Sequence, residues 1–225
     1  MALITLVRHG QASFGAEDYD QLSKLGDEQA RVLAAMVHAR EEEIDCIVHG
    51  TLKRHVQSLN AFKPGISLRP TRIADACWNE FDHRDVLRQF VLAYPEFTDD
   101  VLSQQAERIF PAFAKAVARW QQRSNDSNYV ESWQQFSDRV NQAWLNVSEL
   151  AKKHQRVWVF TSGGPISLSV LQSLASGPEQ LMQLNRRLAN TGLTRFMYEQ
   201  GQPQLLSLNE HGHLTGKYQN MLSYI

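Results

Sequence analysis

Apolar residues recur along this chain in two rhythms. Ala2-Leu3-Ile4-Thr5-Leu6-Val7 is a short, nearly continuous apolar run, as a strand covered on both faces should be. Ile44-Asp45-Cys46-Ile47-Val48 and Arg156-Val157-Trp158-Val159-Phe160-Thr161 repeat it. A further strand is predicted from Ile66 to Ile73, bounded by Pro64-Gly65, and a closing pair from Gly192 to Tyr198 and Gln204 to Leu208, turned at Glu199-Gln200-Gly201-Gln202. The helical rhythm predicts helices from Ser23 to about His38, with Ala30, Leu33 and Val37 on one face, from about Thr51 to Ala61, and from Pro165 to about Ala175. Leu102, Ala106, Ile109, Phe113, Val117 and Trp120 keep the same spacing, and Pro111 is expected to kink or break that helix. Ser124 to Asn128 reads as a loop. Ser132 then reads as an N-cap with Gln135 completing a capping box, ahead of an apolar face of Trp133, Phe136, Val140, Ala143, Trp144, Val147 and Leu150. Aromatics at this spacing read as core rather than as a cofactor box.

Strands alternating with helices imply an α/β fold: a three-layer α/β/α sandwich around a mostly parallel sheet, in a single domain with a helical insertion between about Asp82 and Asn128. The length of 225 residues suits one such domain and needs no disulfide or metal staple. With 23 basic against 24 acidic side chains, the chain has no electrostatic footprint for nucleic acid or an anionic membrane, though a small anion needs only two or three placed cations. Cys46 and Cys77 lack any zinc or redox spacing, and Cys46 reads as a small core residue. The apolar run after Met1 has no basic stretch before it, and no run reaches 18 apolar residues, so a cytoplasmic chain without signal peptide or membrane span is expected.

Ligands on such sheets bind at the carboxyl ends of the strands. Those ends carry Arg8-His9-Gly10-Gln11, His49-Gly50-Thr51-Leu52-Lys53-Arg54, Trp78-Asn79-Glu80 and Thr161-Ser162-Gly163-Gly164-Pro165. Arginine donates two parallel hydrogen bonds to a phosphoryl group and never loses its charge. Gly163-Gly164 before Pro165 presents free N–H groups at a helix start, a ready anion site. A neutral imidazole among such groups can attack phosphorus.

Arg8-His9-Gly10 after an N-terminal strand resembles the R-H-G signature of the histidine phosphatase (phosphoglycerate-mutase-like) superfamily. The stretch from Asp20 to Ala30 is similar to the family's D-x-x-L-t-x-x-G-x-x-Q-A, and Gly50 to Ser58 to its S-x-L-x-R-a-x-Q-T. Asn79-Glu80 resembles its L-x-E segment, and Ser207 through Leu214 its tail. The resemblance implies a phosphatase of phosphate monoesters that needs no metal or other cofactor and whose partner is a small phosphorylated substrate. His9 would be the nucleophile that becomes phosphohistidine, Arg8 and Arg54 would hold the phosphoryl oxygens, and Glu80 would be the acid and then the base. Gln11, Ser13, Ser162 and Gly163 are further candidates for phosphate or substrate contact.

The family pattern carries a second histidine in an S-H-G-G segment, where this chain has Thr161-Ser162-Gly163-Gly164. Ser162 is therefore read either as a phosphate donor or as a helix N-cap, and His49 and His83 are the candidates to take the missing role. The departure motivates a second hypothesis, a degenerate member that binds a phosphorylated ligand or protein without turnover. A phosphoglycerate mutase is disfavoured because Phe14-Gly15 stands where R-H-G-x-x-x-W-N would end. A serine hydrolase with Ser162 in a nucleophile elbow is disfavoured by Phe160, where that turn needs glycine. Specificity is expected from Phe90, Tyr94, Phe97 and Phe110.

Overall fold

The computed structural model describes residues 1–13, 20–62, 70–103, 105–199 and 202–224. The apolar runs become Ala2–Arg8 (β1), Cys46–His49 (β2), Thr71–Ala74 (β3) and Arg156–Thr161 (β4), all mutually parallel where they pair. Leu193–Glu199 (β5) runs antiparallel to β1, and Gln202–Glu210 (β6) antiparallel to β5. The six strands lie in the order β3-β2-β4-β1-β5-β6. Of the third predicted strand, Pro64 to Arg69 lies outside the described residues, as does Gln200-Gly201 of the last turn.

The near-continuous apolar runs split by parity between two faces. Ile4, Leu6, Cys46, Val48, Val157 and Val159 enter one core, and Val7, Ile47, Trp158 and Phe160 the other. Lys24–Ala39 (α1) and Lys53–Phe62 (α2) cover the second face through Leu33, Ala34, Val37, Leu59 and Phe62. Trp133–Ala151 (α6) and Gly163–Ser173 (α7) cover the first, joined by Val86 and Phe90 of His83–Ala93 (α3) and Ala116, Val117 and Trp120 of Ala106–Trp120 (α5). This is the expected three-layer sandwich. Neighbouring strands β1 and β4 thus send their chains to opposite faces, which opens a crevice between their carboxyl ends.

Local signals behave as their chemistry dictates. Ser23 caps α1 by accepting from the Gly26 N–H, and Ser132 with Gln135 forms the full capping box on α6. Three expectations need correcting. α5 runs unbroken through Pro111, because the one backbone bond lost there is to the carbonyl of Glu107, which is exposed and open to water. Leu102 does not extend that helix. It ends a separate short helix, Thr98–Leu102 (α4), and is 75% exposed. Arg123–Asn128 winds into a 3-10 segment rather than a loop. A further short helix, Leu181–Asn185 (α8), precedes β5.

The start of α1 presses against the loop after β1. A Cβ on Gly26 would lie 2.2 Å from the Gln11 carbonyl oxygen, and one on Gly10 would lie 2.3 Å from the Gly26 carbonyl oxygen. Alanine in a free helix gains about 1 kcal/mol over glycine. For Gly26→Ala the sign should reverse, with a loss of about 1–3 kcal/mol from forced backbone displacement. Urea unfolding measures it, and a stabilised variant would contradict the close approach.

Candidate active site

The loop that leaves β1 is stitched to both helices of the second face. The His9 N–H donates to the Thr161 carbonyl at 2.9 Å, the Gly10 N–H to Ser58 Oγ at 2.9 Å and the Gln11 N–H to Gln29 Oε1 at 2.9 Å. Ser58 Oγ in turn donates to the Arg54 carbonyl, and Gln29 Nε2 to Met221 O and Ser223 Oγ near the C-terminal end. The polar residues of the matched motifs are thus the ones that fix the backbone on either side of His9.

His9 is only 5% exposed. Its Nδ1 lies 2.6 Å from the Gly10 carbonyl oxygen. A carbonyl only accepts, so Nδ1 carries the hydrogen and Nε2 keeps a free lone pair. Burial holds the imidazole well below its usual pKa, and Arg54, His55 and Arg8 push the same way, against the Gly10 hydrogen bond. The ring is therefore neutral and nucleophilic at pH 7.

Two guanidiniums share its cavity. Arg8 Nη1 donates to the carbonyls of Leu188 and Tyr224, which set its direction. Arg54 Nη1 donates to Asp20 Oδ1 at 2.7 Å, while Asp20 Oδ2 accepts from the Lys53 N–H at the start of α2. Glu80 enters from the segment after β3. Its neighbour Phe81 is buried among Trp120, Phe113 and Phe136, and Arg139 donates to the carbonyls of Cys77 and Asn79. Burial raises the Glu80 carboxyl, opposed by the Gly164 N–H, Arg54, the Phe81 N–H and Arg8. That environment suits a group that gives up a proton and takes one back.

Arg8, His9, Arg54 and Glu80 therefore meet in one cavity of about 900 Å³. Leu87, Ile109, Phe110 and Phe113 form an apolar wall, and Arg186 and Arg187 add two exposed cations that meet no carboxylate among the described residues. Of the four aromatics expected to set specificity, only Phe110 lines this space, because Phe90 packs in the core with Tyr94 and Phe97 stacked on it. Gln11, Ser13, Ser162 and Gly163 do not line it either. The Gln11 side chain accepts from Ser23 Oγ, and the Ser13 N–H donates to Gln21 O. Phe14-Gly15 lies outside the described residues. The start of α7 is already engaged, since the Gly164 N–H donates to Glu80 Oε2 at 3.0 Å. Gly163 and Gly164 are needed there because a Cβ on them would meet Asn185 Oδ1 at 2.1 Å and Glu80 Oε1 at 2.0 Å.

Ser162 occupies the N-cap position of α7 but makes no capping bond. Its Oγ instead lies 2.7 Å from Nε2 of His55, a residue the sequence reading passed over. His83 reaches the cavity wall, whereas His49 bonds its own Gly50 carbonyl outside it. The overlooked signal stood in the motif itself: S-x-L-x-R-a-x-Q-T has a small residue after its arginine, where this chain has histidine. Gly50 makes room for it, since a Cβ there would lie 2.1 Å from His55 Nδ1.

The comparisons with known proteins agree with this picture. The model of the histidine phosphatase superfamily (branch 1) matches residues 4–211. A phosphoserine phosphatase from Entamoeba histolytica, solved with phosphoserine, superposes with a TM-score of 0.63 at 19% identity, covering 96% of this chain and 100% of that one. The alpha-ribazole phosphatase from Shigella flexneri gives 0.62 at 17%, covering 92% and 96%. A mycobacterial glucosyl-3-phosphoglycerate phosphatase, solved with VO3, gives 0.61 at 19%, covering 94% and 100%. At these identities the likeness shows the fold. A search of curated proteins found no match.

Burial leaves four histidines harder to protonate than in the unfolded chain. His9 and His55 lie well below 6.5, and His83 and His213 fall to about 4. The unfolded chain therefore takes up protons first, so stability is whole above about pH 6.5 and drains as pH falls toward 4. Glu80, raised instead, works in the opposite sense. The urea midpoint should fall steadily from pH 7 to pH 5, and a flat profile would contradict the neutral, buried state of these rings.

Proposed function

Because the chain belongs to the histidine phosphatase superfamily (branch 1), we propose that it is a phosphatase that hydrolyses phosphate monoesters through a phosphohistidine on His9, without recourse to a metal. The observation that carries this reading is the Nδ1–H bond to the Gly10 carbonyl, which leaves Nε2 of a neutral ring free beside Arg8, Arg54 and Glu80. The Nε2 lone pair attacks phosphorus while the bond to the leaving oxygen breaks, and the Glu80 carboxyl transfers its proton to that oxygen. Arg8 and Arg54 balance charge on the remaining oxygens. Water then attacks the phosphohistidine, loses a proton to the Glu80 carboxylate, and the N–P bond breaks to release phosphate. Hydrolysis, rather than transfer between oxygens of one phosphoglycerate, is the outcome proposed.

The cavity is far larger than a phosphate, and its charges do not stop at Arg8 and Arg54. An apolar wall faces the Arg186 and Arg187 pair. The favoured substrate is a phosphomonoester with a sizeable body, apolar on one side and bearing a second negative group. The proteins it resembles act, by their names, on phosphoserine, alpha-ribazole phosphate and a glucosylated phosphoglycerate.

The second reading, binding of a phosphorylated ligand without turnover, rests on Ser162, which brings no charge and is fully buried.

His9→Ala should abolish phosphate release, and brief quenching of the unaltered protein should trap an acid-labile phosphoryl label. Release unaffected by EDTA is expected. Phosphate binding with no release in either protein would favour the second reading. Glu80→Gln should cut kcat/KM for an alkyl phosphate, which reports formation of the phosphohistidine and not its hydrolysis, by about 10²–10⁴, and kcat/KM for a nitrophenyl phosphate, whose leaving group needs no proton, far less. Equal losses on both would remove Glu80 from the acid role. Arg186→Ala with Arg187→Ala should raise KM for a phosphomonoester carrying a remote carboxylate and leave a neutral-bodied one unchanged. An equal effect on both would exclude the second-anion contact.

A further inference from the structure

None of the residues from Ser207 through Leu214 lines the cavity, although that stretch belongs to the motif pattern of the sequence. Two of them bond to the loop between α8 and β5. Asn209 accepts from the Ala189 N–H at 2.7 Å and donates to the Arg187 carbonyl at 2.8 Å. His213 is 7% exposed, and its Nε2 lies 2.9 Å from Thr191 Oγ1. The same loop holds the backbone of the nucleophile. The Thr191 N–H is shared between the carbonyls of Arg8 at 3.0 Å and His9 at 3.4 Å, and Asn190 Nδ2 donates to the His9 carbonyl at 3.2 Å.

Thr191 makes these bonds in a strained backbone state. Its φ is 58°, in the left-handed region, where a β-branched residue is a steric outlier. Such strain persists only where the surroundings over-determine it. Here the side chain does so: the hydroxyl donates to the Asn190 carbonyl at 2.7 Å, and its oxygen meets the His213 imidazole, all three residues being buried. β5 starts two residues later and is fixed in the sheet between β1 and β6. With β5 held, relaxing φ at 191 to a negative value rotates the Asn190–Thr191 peptide. That peptide carries the shared N–H, so the Arg8 and His9 carbonyls lose it.

We infer that His213 is a positioning residue for His9: by holding the Thr191 side chain, it keeps Thr191 left-handed, and so keeps the Thr191 N–H and the Asn190 amide on the carbonyls of Arg8 and His9. This rests on the phosphohistidine reading above. The imidazole of His213 never meets substrate. It acts through one strained residue on the backbone that carries both a phosphate-binding arginine and the nucleophile.

The test follows release of nitrophenol from nitrophenyl phosphate in single turnovers, which reports phosphorylation of His9, with urea unfolding run beside it. His213→Leu should slow that step by about 10²-fold, as a displacement of about 1 Å in a reacting group does, with KM changing less. Thr191→Gly added to His213→Leu should restore most of the rate, because glycine holds a left-handed φ without a clamp and keeps its N–H. A merely structural role for His213 predicts no such recovery. A folded His213→Leu protein of undiminished rate, or a glycine that restores nothing, would overturn the inference and leave the phosphohistidine reading intact. An unaltered protein that forms no acid-labile phosphoryl label overturns both. Should His213→Leu fail to fold, Thr191→Val, which exchanges the hydroxyl for a methyl, should show the same slowing, and Thr191→Ser, which keeps the hydroxyl, should not. Equal rates in those two variants would overturn the inference as well.

Discussion

A single hydrogen bond decides what His9 is. An imidazole has two nitrogens of nearly equal basicity, and the one that keeps its lone pair is the one whose neighbour has hydrogen-bonded elsewhere. Here the Gly10 carbonyl takes the Nδ1 hydrogen at 2.6 Å. That carbonyl stays in place only because the peptide around it is held by Ser58, Gln29 and the start of α1. Shift the loop by an ångström and the ring loses its assigned tautomer, whatever the arginines do. The glycines at 10 and 26, the glutamine at 29 and the serine at 58 thus act on the chemistry through one carbonyl oxygen, without entering the cavity.

The electrostatics follow the same economy. The carbonyls of Leu188 and Tyr224 orient Arg8. Asp20 fixes Arg54 but lies on the solvent side, 30% exposed, where its field is partly screened. Burial above all keeps His9 unprotonated, with Arg54, His55 and Arg8 adding to it, while the two arginines draw on Glu80 in the opposite sense to burial, which on balance leaves that carboxyl raised. The same two cations thus favour a neutral imidazole at position 9, oppose the effect of burial on Glu80 and attract an anion.

Much of this was legible in the sequence, and the reasons differ by element. Period-two alternation hidden within continuous apolar runs is unambiguous for strands such as Ala2–Arg8 and Arg156–Thr161, since both faces are buried. Capping chemistry at Ser23 and Ser132 depends on neighbours three residues away and reads correctly for that reason. Pro111 misled because the penalty for its missing N–H depends on whether the orphaned carbonyl can reach water, which sequence does not show. Phe90 and Phe110 looked alike as candidates, yet one faces the core and the other the cavity, a choice made by how α3 and α5 dock. His55 was missed for a subtler cause. Strand ends announce themselves as ligand sites, whereas a side chain one position past Arg54 on a helix becomes relevant only once that helix is known to turn it inward, against a glycine.

The placement of His55 also makes sense of Ser162. A serine at the start of a helix ordinarily spends its oxygen on a backbone N–H of the first turn. In α7 that role is vacated, because the Gly164 N–H already serves Glu80 and Pro165 has no N–H to offer. With capping unavailable, the buried oxygen needs another hydrogen-bond partner. His55 Nε2, 2.7 Å away, is that partner. Glu80, Ser162 and His55 are thus linked through one helix start: the Gly164 N–H that a capping serine would use goes to Glu80, and Ser162 turns to His55 instead.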